Sequence, residues 1–101
     1  MQMLFDFDWD ANKARSNFQK HGVSFQLATT VFRDSLAITI FDDEHSEDED
    51  RWVTLGLAEN GHMLVVIHTS EEVNEAELRI RIISARRAER EEIRDYEQVP
   101  R

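Results

Sequence analysis

Near the start of the chain Phe5, Phe7 and Trp9 alternate with Asp6 and Asp8, the two-residue period of a half-buried strand. The period then lengthens. Asp10 is a good helix cap, Ala11, Ala14 and Phe18 recur at helical spacing, and Gly22 can take the left-handed conformation that stops a helix, so a helix is predicted from Ala11 to His21. Ser24 can cap a second helix with Phe25, Ala28, Val31 and Phe32 on its apolar side, ending near Arg33 and Asp34. Next, residues 36–41 (LAITIF) are short, β-branched and aromatic, the composition of a strand. A strand over residues 51–57, the turn signal Asn60-Gly61 and a strand over residues 63–68 form a predicted hairpin. Residues 69–77 read as an acidic loop. In the strand that follows, Leu78, Ile80 and Ile82 share one face, Arg79 and Arg81 the other, and Ser84 is placed to cap a last helix from Ala85 to about Tyr96. Trp9, Phe18, Phe25, Phe32 and Trp52 are assigned to the core. Helices followed by a run of strands predict an α+β fold: two N-terminal helices on a four-stranded antiparallel sheet, with a C-terminal helix.

A chain of 101 residues with 41% hydrophobic content suits one domain spanning 1–101 with one modest core. No cysteine is present, so nothing points to disulfides or an oxidising compartment. The N-terminus is acidic where a secretory signal would be basic, and no apolar run approaches the ~20 residues of a membrane span. The expected location is the cytoplasm, with no membrane association. The net charge of −9 has the wrong sign for a simple nucleic-acid binder, but it is unevenly spread. Seven acids lie within residues 42–50, and four more are Glu71, Glu72, Glu75 and Glu77. Without those eleven, ten acids face twelve Lys and Arg, leaving a near-neutral body with an arginine-rich C-terminal region.

Three strings of residues resemble a known family. Residues 7–10 (FDWD), Asn12-Lys13, Asn17 and residues 20–25 (KHGVSF), with Ala28, Val31, Phe32 and Asp34, are similar to the N-terminal part of BrnT-type toxins. Residues 45–51 (HSEDEDR) with Gly56, and residues 81–88 (RIISARRA) with Glu91, are similar to the middle and end of that family. The resemblance implies a RelE-like fold and a metal-independent endoribonuclease that inhibits translation as the toxin of a type II toxin-antitoxin pair. It further implies neutralisation by a BrnA-type ribbon-helix-helix antitoxin, through which alone the pair would touch promoter DNA.

Metal-free RNA cleavage requires a base for the ribose 2′-hydroxyl, positive charge around the phosphorane-like transition state and an acid for the departing 5′ oxygen. Arginine's planar fork suits phosphate oxygens. Arg86, read as lying at the start of the last helix, is the first candidate for the transition-state cation, with Arg79 and Arg81 as an RNA-binding stripe leading to it. Arg51 begins a neighbouring strand and could join them. His45 and Glu49 are acid/base candidates, since imidazole changes charge near neutral pH. Lys20 is a further catalytic candidate and His21 an RNA-binding one, although cations at a helix C-terminus are also explained by the helix dipole. His68, at the end of an apolar strand, reads as a buried structural histidine. No metal-ligand spacing is diagnostic and no cofactor is expected. The alternative function is a non-catalytic RelE-like module acting with its partner in transcriptional autoregulation, which the charge of −9 and the acidic segment after Thr69 favour. A DNA-binding domain acting alone is disfavoured because no helix has a basic face.

Overall fold

The computed structural model describes residues 3–100; Met1 and Gln2, the start of the acidic N-terminus, and Arg101 lie outside the described residues. The first strand, β1, spans Leu4–Asp8. Asp10 then begins α1 (Ala11–His21): its carboxylate accepts from the amides of Asn12 (2.7 Å) and Lys13 (3.4 Å), two of the donors a helix start leaves unpaired. The helix stops where Gly22 takes φ 69°, and the Gly22 amide donates to the Phe18 carbonyl. Ser24 caps α2 (Phe25–Thr29), donor to its Oγ being the Leu27 amide, and the chain tightens into a 3-10 turn over Thr30–Arg33. The predicted second helix is thus one part α-helix and one part 3-10.

The strands that follow are β2 (Ile38–Phe41), β3 (Trp52–Leu57), β4 (Met63–His68), β5 (Glu71–Asn74) and β6 (Glu77–Arg87), with α3 (Arg90–Gln98) last. The hairpin between β3 and β4 turns at Gly61, φ 87°; Asn60 keeps a negative φ, so only the glycine uses the freedom that the Asn-Gly signal offers. Six strands form one sheet in the order β1-β6-β4-β3-β2, with β5 also on β6. β1 runs parallel to β6 and every other pairing is antiparallel.

This corrects the expected four-stranded antiparallel sheet, and β6 is the reason. It is long enough to pair with β1 along Glu77–Arg81 on one edge, and with β5 and then β4 along the other. β5 falls in the segment read as an acidic loop; all four of its residues are exposed and they carry no apolar alternation. Backbone pairing to β6, not burial, makes it a strand. The last helix begins at Arg90 rather than Ala85. Residues 85–88 have fair helix propensity, yet Ala85 pairs with Val66 and Arg86 with Val65, so tertiary pairing prevails. Glu89, not Ser84, caps α3, in a reciprocal capping box with Glu92.

One sheet face carries Leu64, Val66, Ile80, Ile82 and Ala85 and packs on Val23, Phe25, Ala28 and Val31. Phe7, Trp9 and Phe32 close its margin. At Gly56 the sheet lies so near this layer that a Cβ would stand 3.2 Å from the Cβ of Val31 and 3.1 Å from that of Ala37. Phe18 does not join the core; it is 56% exposed, and the residue α1 buries is Asn17. α3 reaches β3, and Tyr96 donates to Asp34 (2.7 Å), whose same oxygen accepts from the Leu57 amide (2.9 Å).

Candidate functional site

Beyond Arg81, β6 outruns β1, and α1 takes up the vacant edge. The Asn17 carboxamide behaves there like a short piece of strand. Its Nδ2 donates to the carbonyls of Ala85 (2.8 Å) and Val23 (3.0 Å), and its Oδ1 accepts from the Ala85 amide (3.1 Å). Helical spacing sets Lys13 and Lys20 on either side of Asn17 along that face of α1. Between α1 and β6 lies a cleft of about 340 Å³ lined by Asn12, Lys13, Ser16, Asn17, Lys20, His21, Ile83 and Ser84. No carboxylate lines it. Lys20 and His21 close the last turn of α1, where the helix carbonyls favour cations. Asp10 lies at the far end, held below the usual carboxylate range first by the Asn12 and Lys13 amides and further by the charges of Lys13 and Arg81. Arg81 is therefore within electrostatic reach of the start of α1.

A second cleft, about 370 Å³, is formed by the 42–50 loop and the start of β3. It brings together His45, Glu49 and Arg51, as the sequence suggested, with Glu44, Glu47 and Asp48. His45 Nδ1 donates to the Asp42 carboxylate (3.0 Å), which fixes the orientation of the ring. Ser46 shapes the loop by donating to the Asp42 carbonyl and accepting from the Arg51 amide. Arg51 Nε is buried with no hydrogen-bond partner among the described residues. Four carboxylates against one arginine make this cleft repel a phosphate at close range. Neutral strand spacing separates β3 from β6 by roughly 10 Å, the width of two ladders across β4.

The arginines sit on strands. A bulge at Ile83 resets the alternation of β6, so that Ser84 opposes Ile67 and Arg86 opposes Val65. Ser84 and Arg86, with Arg79 and Arg81 before the bulge, thus project on the face opposite Ile80, Ile82 and Ala85. Arg86 is on β6, not at a helix start as expected, and is engaged: its two terminal nitrogens meet the two oxygens of Glu92 at 2.9 and 2.8 Å. The pair raises the arginine pKa and lowers that of Glu92, chiefly through these hydrogen bonds. Arg79 pairs with Asp6 at 3.3 Å in an exposed setting, and Arg81 lies beside Asp8 in the β1 register.

Residues 9–92 match the family model described as "Ribonuclease toxin, BrnT, of type II toxin-antitoxin system". The chain belongs to the BrnT family. Its structure is similar to the crystal structure of the Brucella abortus ribonuclease toxin BrnT, with a TM-score of 0.59 and 26% identity, over 87% of this chain and 100% of that one. No curated protein sequence matches it. Membership in this type II toxin family implies an antitoxin partner and an RNA substrate. Among the described residues, no helix of this BrnT chain is long and apolar enough to cross a membrane.

Two further positions complete the site's surroundings in this BrnT chain. Lys13 and Ser16 line the first cleft beside Lys20 but were not singled out from the sequence. Their spacing of seven and four residues from Lys20, respectively, was the available signal. His68 is structural, as expected: it is buried against Phe32, its Nδ1 donates to the Thr69 carbonyl (2.9 Å), and its Nε2 pairs with the Thr54 hydroxyl (2.7 Å). Burial lowers its pKa, outweighing the opposing bond to Thr69. Above the ordinary imidazole value of about 6.5, folded and unfolded states are both neutral here. As pH falls below it, the unfolded chain takes up a proton that the buried ring refuses, so stability drops until the folded state's own lower pKa is reached. Urea midpoints measured from pH 7.5 to 5 should show this decline, and His68→Gln should flatten it; an identical slope in the variant would remove His68 as its source.

Proposed function

We propose that this chain is a metal-independent endoribonuclease toxin acting in the cytoplasm, and that the cleft between α1 and β6 seats the RNA backbone. The observation that carries this reading is the contrast between the two clefts: the first presents Lys13, Lys20 and His21 with no carboxylate, the second surrounds Arg51 with acids. A chain of net charge −9 can hold a polyanion only where its cations are locally in excess. Lys13 and Lys20 neutralise the phosphate, Arg79 and Arg81 guide the flanking strand, and Ser84 floors the cleft. His21 is the imidazole best placed for proton transfer there. Arg86, one step along the same face from Ser84, serves as the transition-state cation by exchanging Glu92 for phosphate oxygens. His45, Glu49 and Arg51, in the acidic cleft that repels phosphate, take no part in seating the RNA backbone. A BrnA-type ribbon-helix-helix antitoxin neutralises the toxin and carries the pair to promoter DNA.

The second reading is a non-catalytic module that works through its antitoxin in autoregulation. The acids around His45 and the engagement of Arg86 by Glu92 favour it. Purified protein incubated with RNA in EDTA separates the two. The toxin reading expects cleavage to 5′-hydroxyl and 2′,3′-cyclic phosphate ends, abolished in Arg86→Ala and kept in Arg94→Ala, together with growth arrest on induction without the antitoxin. Intact RNA and normal growth with folded protein would establish the module instead.

A further inference from the structure

At the end of the sheet away from β1, the strand β2 pairs only with β3 among the described residues. Its outer edge therefore offers main-chain donors and acceptors to a partner. Their positions follow from the ladder. The Asp42 amide donates to the Arg51 carbonyl, so the inward-bonding residues of β2 are Ile38 and Ile40, and the backbone groups of Thr39 and Phe41 point to the free edge.

Free edges are usually guarded by charge, proline, a bulge or a covering element. β2 has none of these. It reads Ile-Thr-Ile-Phe, with Ile40 58% and Phe41 40% exposed. Through the register Ile40↔Val53↔Ile67 its apolar surface continues onto β3 and β4, where Val53 and Ile67 are partly buried. The strand then leads directly into the 42–50 loop and its seven acids.

We propose that this edge is a docking strand for an extended segment of a second protein, apolar at alternate positions and bearing Lys or Arg where it passes the 42–50 loop. The edge provides the backbone bonds, Ile40 and Phe41 the apolar contact, and the loop the choice of a basic partner. A second copy of this chain is the poorer occupant, because joining two chains of −9 each sets like charge against like. The docking strand does not depend on the ribonuclease reading.

The probe is a ten-residue peptide of alternating valine and threonine ending in Lys-Arg-Lys, with the Glu-Asp-Glu version as its counterpart. Titrated into isotope-labelled protein, the basic peptide should slow hydrogen exchange at Thr39 and Phe41 and bind at least tenfold more tightly than the acidic one, the difference shrinking in 0.5 M salt. Thr39→Pro, which removes an outward donor, and Ile40→Lys, which leaves the backbone intact, should each weaken binding about tenfold or more with RNA cleavage unchanged. No exchange protection at Thr39 and Phe41, equal binding of the two peptides, or self-association of the chain through β2 in sedimentation would each overturn the proposal.

Discussion

Lys20→Ala is expected to lower RNA cleavage about a hundredfold while leaving the fold intact. Lys20 is exposed at the last turn of α1 and makes none of the core contacts, so removing it should cost only the small favourable interaction of a cation with the helix end, roughly 0.3–1 kcal/mol. What it should remove is charge in the cleft without carboxylates, where losing one preorganised stabiliser of a developing anion typically costs 10²–10³ in rate. Lys20→Arg should retain more activity than Ala, because the positive charge remains. Lys13→Ala should add to the defect, and both losses should shrink as ionic strength rises, because salt screens in the wild type the very charge that the variants lack. Single-turnover cleavage of one RNA, alongside thermal midpoints, is the measurement. Wild-type cleavage in the Lys13→Ala/Lys20→Ala double variant would move the phosphate seat away from α1.

Asn17→Ala should be the most damaging polar substitution for stability. The carboxamide serves both backbone groups of Ala85 and the Val23 carbonyl, in a buried position between α1 and β6. Alanine leaves those groups unpaired and dry, a loss of about 3 kcal/mol, or roughly 12–20 °C in the thermal midpoint of a domain this size. Asn17→Asp is expected to do no better, since a carboxylate accepts from the Ala85 amide but faces the two carbonyls without a proton to donate. Denaturant titrations of both variants test this. A change under about 1 kcal/mol in Asn17→Ala would mean that water or a shifted α1 replaces the amide without penalty.

The sequence made local structure legible wherever the instruction was local. Asp10 and Gly22 bound α1 because a cap and a left-handed glycine act within a turn, and the β3–β4 hairpin follows from a glycine at its tip. The long-range pairings were not legible. β5 has no buried side chain to announce it, and Ala85, Arg86 and Arg87 continue β6 because β4 lies beside them, a fact no neighbouring residue encodes. Phe18, assigned to the core, is exposed and Asn17 is buried in its stead for the same reason: the helix turns toward an unpaired strand edge, which needs an amide more than a phenyl ring. His45, Glu49 and Arg51 line one cleft because they are close in sequence. Lys13 carries no signal of its own in the sequence, since its relation to Lys20 matters only once β6 supplies the opposite wall, and Glu92 meets Arg86 only because Arg86 lies on β6 and not on a helix.

The amide clasp between α1 and β6 joins residues 68 positions apart, and β1 finds its parallel neighbour only in the same late strand. During synthesis the lysines therefore leave the ribosome long before the wall they face. Contacts of such sequence separation form late, so a growing chain carries its cations on an unsupported helix until the C-terminal quarter has emerged. A cell translating this message is exposed to an assembled cationic cleft only from finished molecules, and a message cut before the codons of β6 yields a fragment with no cleft at all.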